Sequence, residues 1–153
     1  MESMMVVAGY LYHRYKEEYL CVIREMKLHK LMYFAQRESF IQNGEPLFEG
    51  FFHAWKYGPV LNEIRAIYRN ENFSLLEKTA LKSAEVKNLI DMVYDSLANK
   101  DSWSLSSLTH LEYSWKNARK GLPEDAPCDA VIKNEDIMLD AKRIKDRRKF
   151  ANL

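Results

Sequence analysis

Apolar positions recur along most of this chain with the spacing of helices, and they break that rhythm in one place. Over about 5–20, Val6, Tyr10, Tyr15 and Tyr19 are candidates for the buried side of a first helix, because residues three or four apart share a helix face. Over about 26–42, Leu28, Leu31, Met32, Phe34 and Ala35 spread around so much of the circumference that a central helix is expected. Asn43-Gly44 ends it, since both residues tolerate the left-handed conformation of a helix C-terminus. The stretch "EPLFEGFFHAWKYGP" then loses the helical period. Its Pro46, Gly50 and aromatics fit a short extended or hairpin element near 46–57.

Pro59, with φ fixed and no N–H to donate, suits the first turn of the next helix. Val60, Leu61, Ile64, Ile67 and Tyr68 form that helix's inner face, and "NEN" at 70–72 stops it. A further helix over about 77–98 carries Val86, Leu89, Ile90, Val93, Tyr94 and Leu97 at helical spacing. Ser102 or Ser104 caps a short helix leading into "LSSLTHLEYSWKNARKG", which ends at Gly121. Asn134 caps the last helix, with Glu135 and Asp136 in its first turn and cations at its end, as the helix dipole favours. The expectation is a mainly α protein. One compact helical domain of about six helices spans 1–153, with a core over about 5–140, a short β-like insert and a basic C-terminal helix or tail at 134–153.

Composition supports this outline. Only 5 Gly and 4 Pro serve 153 residues, too few for the many turns of an all-β sandwich. A chain of this length buries roughly 68–70% of its unfolded surface, so it folds without metal or disulfide. Cys21 and Cys128 lie far apart and show no redox or metal spacing. The first residues lack a basic leader, and no window approaches the ~18–20 apolar residues of a membrane span. A cytoplasmic protein that does not enter membranes is expected. Net charge is +1, which excludes a strong overall field for nucleic acid. "KRIKDRRK" (142–149) nevertheless concentrates six cations against one acid. Its ordinary reading is a solvated helix face, and its functional reading is contact with nucleic-acid phosphates.

Candidate chemistry is sparse. His13, His29, His53 and His110 are scattered without metal-site spacing, and neither a Gly-rich phosphate loop nor a Gly-x-Ser-x-Gly elbow occurs. No carboxylate is visibly held in an apolar setting that would raise its pKa. Neither cofactor, metal nor enzymatic activity is expected. Thr109, His110, Glu112 and Trp115 read either as capping and core residues or as something more specific. Phe51, Phe52, Trp55 and Tyr57 cannot all point inward from an extended segment, because alternate side chains face opposite sides. Some of these rings should face solvent or a partner, and Trp and Tyr are frequent anchors of protein interfaces.

Three blocks, in this order and at these separations, carry a resemblance: "MKLHKLMYFAQ" (26–36), "PLFEGFFHAWKYGPV" (46–60) and "LSSLTHLEYSWKNARKG" (105–121). Together the chain resembles the Panacea domain, also described as the SocA-like or phage-associated GepA-type antitoxin domain, over about residues 5–140. The resemblance implies a mostly helical antitoxin that binds and neutralises a cognate protein toxin. It also implies toxins of many unrelated kinds and, in at least one relative, a proteolytic adaptor that delivers the toxin for degradation. Matching positions are Lys27, Leu28, Lys30, Leu31, Tyr33 and Phe34; then Ala54, Trp55, Tyr57, Gly58, Pro59 and Val60; then Leu108, Thr109, His110, Glu112 and Trp115. Ser114 stands where the family tends to have Pro, and His29 where Gln is usual. Pro at a first helical turn is replaceable by a capping Ser, so the local fold is expected to survive. The candidate partner-binding residues are Trp55, Tyr57, Phe52, His53, Lys30, Tyr33, His110 and Trp115, with Gly58, Pro59, Val60 and Thr109 as structural motif residues. The toxin and the oligomeric state are left open.

Overall fold

A helix buried on nearly every side organises the molecule. In the computed structural model, which describes residues 1–151, the order is α1 (Met4–Tyr19), α2 (Glu25–Asn43), β1 (His53–Trp55), β2 (Gly58–Val60), α3 (Asn62–Arg69), a 3-10 turn (Phe73–Leu75), α4 (Ala84–Leu97), α5 (Ser102–His110), α6 (Tyr113–Ala118) and α7 (Asn134–Ala151). α2 is the central element that its broad apolar face predicted: Leu28 to Gln36 are all buried, and α1, α3, α4, α5 and α7 pack around it. Gly44 ends it at φ +70, with its N–H on the Phe40 carbonyl. The chain is mainly helical, with seven α-helices and one small antiparallel sheet among the described residues.

Polar side chains inside α2 replace backbone partners that the surrounding loops lack. The Gln36 amide donates to the Phe48 carbonyl and accepts from the Leu47 and Phe48 N–H groups. It thereby satisfies an irregular buried segment as a neighbouring strand would. His29 is fully buried and accepts the Leu61 N–H at Nδ1 while its Nε2 faces Glu25. Burial pushes the His29 pKa down. The neutral ring therefore serves both partners, one as acceptor and one as donor.

The buried side of α1 is Met4, Val7, Ala8, Leu11 and Tyr12 rather than the side of Val6, Tyr10, Tyr15 and Tyr19, and three expected boundaries move. Pro59 does not open a helix. It lies in β2 opposite Ala54, and α3 begins at Asn62. The Ala54 N–H points away from Pro59, to the Ala130 carbonyl, so the missing proline donor leaves nothing unpaired. The helix expected from 77 begins at Ala84, after a Ser83 cap that accepts the Val86 N–H. Tertiary contacts hold the preceding segment extended: His13 Nε2 donates to the Leu76 carbonyl, and Glu77 passes so close to α1 that a Cβ on Gly9 would lie 2.4 Å from its carbonyl oxygen. The 105–121 block divides into α5 and α6 at Leu111–Glu112, which accounts for seven helices where about six were expected. Asp101 caps α5 through the Ser104 N–H, rather than Ser102 or Ser104 doing so. Asn134 is the first residue of α7, whose opening bond runs from Ile137 N–H to the Lys133 carbonyl.

Candidate functional site

The hairpin β1–β2 pairs His53 with Val60, Ala54 with Pro59 and Trp55 with Gly58. Its other edge is covered by 130–132, through Ala54 N–H to Ala130 carbonyl and Ile132 N–H to Phe52 carbonyl, 2.8 Å each. The side chains alternate as an extended segment requires. Phe52 and Ala54 face the core, while Phe51, at 57% exposure, faces solvent. Trp55 lies half-buried, its indole N–H on Asp129 and its ring under the Arg65 guanidinium at 4.7 Å. His53 donates from Nδ1 to the Asp129 carbonyl and accepts Asn62 at Nε2. Tyr57, in the turn, is 47% exposed.

The third sequence block binds this hairpin by its backbone. Successive carbonyls each accept one side chain from α5, α6 or the residue after it. Ala54 accepts from Arg119 at 2.8 Å, Trp55 from the Trp115 indole at 2.7 Å, Lys56 from His110 Nε2 at 2.9 Å, and Tyr57 from the Ser106 hydroxyl at 3.0 Å. The His110 ring stacks on Trp115 at 4.2 Å, and Arg119 covers the same indole at 4.9 Å. Arg119 also donates to the carbonyls of Pro123, Glu124 and Ala126, so one guanidinium holds the hairpin and the following loop together. Gly58 is required at the crossing. Its φ is +125, and a Cβ there would meet Thr109 Oγ1 at 2.8 Å and Lys30 Cε at 3.2 Å.

Beneath the hairpin, Tyr33 donates to Glu112 Oε1 at 3.0 Å and is bonded to Ser114 Oγ at 2.7 Å. Arg37 pairs with the same Glu112 oxygen at 2.9 Å, although its Nε finds no partner among the described residues. Glu112 corrects the expectation that no carboxylate sits in an apolar setting: burial raises its pKa, with Asp140 adding to the effect and Arg37 opposing it. Asp140, on α7, accepts the N–H groups of Tyr113 and Ser114 at 2.9 and 2.8 Å. Ser114 is therefore not a cap. It survives the absence of the family's proline because Asp140 takes the N–H that proline would lack.

Of the eight candidate contact residues, Phe52, Tyr33 and Trp115 are buried, so they hold the fold and present no surface; Lys30 is also buried but lines a surface groove. His53, Trp55 and His110 are partly exposed but committed to intramolecular bonds. Tyr57 alone projects freely. Gly58, Pro59, Val60 and Thr109 are buried. The sequence reading passed over Trp103, which is 76% exposed and meets Tyr57 edge-on at 6.5 Å. The available signal was a lone indole among Ser102, Ser104, Ser106 and Ser107 in one helix. Tyr57 and Trp103 form the lip of a groove of about 720 Å³ that runs over Val22, Met26, Tyr68 and Phe73. Among the described residues no three His, Cys, Asp or Glu side chains converge as metal ligands would, and no helix is long and apolar enough to cross a membrane.

A helical scaffold thus clamps a short hairpin carbonyl by carbonyl and leaves Tyr57 exposed at its turn. The chain belongs to the family described as antitoxin SocA-like, Panacea domain, which matches residues 28–116 and so takes in all of the clamp but Arg119. A stretch of 38 residues is 50% identical to the protein named Antitoxin SocA from Caulobacter vibrioides (strain NA1000 / CB15N), covering 25% of this chain and 20% of that protein. The match thus spans about a fifth of that relative's length. No solved structure matches.

Proposed function

We propose that this chain is the antitoxin of a type II toxin–antitoxin pair, a cytoplasmic protein that neutralises a cognate protein toxin by binding it and performs no catalysis itself. The observation that carries this reading is the pair of exposed rings, Tyr57 at the turn of a hairpin whose backbone is clamped from one side and Trp103 on α5, the helix that helps to clamp it. Rigid aromatic side chains lose little entropy on binding and are the residue types that dominate interface energies. Family membership supports the same reading. The interface expected for a stable block is roughly 1,600 Å² in total.

The test is co-expression with the protein encoded beside this one. Growth should be rescued, the two chains should copurify, and the amount of toxin should be unchanged by the rescue. Failure of both rescue and copurification sinks the reading. Rescue accompanied by a fall in toxin, and lost when a cellular protease is deleted, would replace direct block with delivery to that protease.

A further inference from the structure

Lys30 is 1% exposed and carries no carboxylate on its ammonium. Its Nζ donates at 2.7 Å to the Ser106 hydroxyl, which spends its own proton on the Tyr57 carbonyl. An ammonium offers three donors, and a charge taken out of water without a counter-ion is costly. Burial pushes the Lys30 pKa down to about 8, with no acidic neighbour to raise it. The fold nevertheless makes room for this side chain, since the missing Cβ of Gly58 is what clears its stem. Lys30 lines the same groove whose lip is Tyr57 and Trp103 and whose walls include Val22, Met26 and Phe73. Glu25, the acid on the groove wall, is occupied by Arg65 and His29. The groove is an apolar trough with a buried, uncompensated cation at its floor and the exposed Arg24 on its wall.

Resting on the antitoxin reading, we propose that this groove receives a segment of the toxin in which an Asp or Glu stands between apolar residues. The Lys30 ammonium, buried in the free chain, turns toward the groove to meet the side-chain carboxylate, whose apolar neighbours lie against Tyr57 and Trp103. A carboxylate supplies the charge that the fold withholds, and the dry walls strengthen that attraction relative to water. The apolar flanks supply the area that a lone ion pair lacks.

Calorimetric titration of the full chain with the co-encoded toxin tests this, using Lys30→Met and Trp103→Ala. Lys30→Met replaces a buried charge by an apolar chain of similar length, so its thermal midpoint should equal or exceed the wild type while toxin affinity falls at least fivefold. Trp103 is on the surface, so Trp103→Ala should keep the midpoint and lose at least fivefold as well. Smaller losses in both variants overturn the groove and leave the antitoxin reading standing. If the wild type captures no toxin, titration with the peptide acetyl-Leu-Glu-Phe-Leu-amide, followed by the Trp103 indole N–H resonance, decides the matter. Preference for this peptide over its Gln counterpart keeps the groove while the antitoxin reading falls. Equal or absent binding sinks both.

Discussion

Lys30 and Glu112 are both buried titratable groups, and their environments differ in kind. Glu112 has Arg37 and the Tyr33 hydroxyl on one oxygen, whereas Lys30 has a single serine hydroxyl. The Lys30 proton is therefore held more weakly in the folded chain than in the unfolded one, about 8 against 10.5. Between those values unfolding takes up a proton, so this residue's contribution to stability rises with pH; its penalty is complete below about 8 and gone above 10.5. Lys30→Met should be more stable than wild type by about 1–4 kcal/mol near pH 7, by analogy with other buried charges replaced by apolar residues. That advantage should shrink as the urea midpoint of each protein is followed from pH 8 to pH 10. An advantage that stays constant would mean that Lys30 is not the group titrating. Lys30 was legible in sequence as a motif position. Its isolation was not, because Glu25, on the same helix, is taken up by Arg65 from α3 and by His29.

Among the elements, α6 shows how a helix of six residues persists in water, where so short a segment is unstable alone. Its N-terminal N–H groups, which have no partner within the helix, are satisfied by a carboxylate from α7, Asp140, and its Trp115 is fixed between His110 and Arg119. Asp140→Ala should cost about 1–3 kcal/mol, the range for losing a cap or stranding a buried donor. Asp140→Asn, which keeps one acceptor, should cost less. Chemical denaturation ranks the two, and near-ultraviolet circular dichroism reports whether Trp115 has loosened. The hairpin was visible in sequence from its aromatics and its Gly and Pro. The two-helix division of 105–121 was not, because the carboxylate that caps the start of the second helix comes from 26 residues downstream of Ser114.

For the molecule as a whole, α7 closes the core with Ile137 and Ala141 and then carries the basic run out along the surface. Within that run Arg148 is engaged by Glu38 through two 2.9 Å contacts, and Arg143 lies 3.6 Å from Asp140. Lys142, Lys145, Arg147 and Lys149 are exposed and form no ion pair among the described residues. Replacing those four by Gln should change stability by no more than about 0.5 kcal/mol and leave toxin capture intact. A promoter-DNA gel shift that weakens steeply with salt and disappears in this variant would give the tail a second role. The sequence by itself determined the helical class, the central position of α2, the existence of an aromatic hairpin and the family, because periodicity and motif spacing are local properties of the chain. Tertiary structure decided which rings are spent on the core, that four hairpin carbonyls are taken up by side chains from α5, α6 and Arg119, and that Lys30 is left without a counter-ion. Those outcomes depend on which surfaces meet across dozens of residues, and burial and pairing are settled only there.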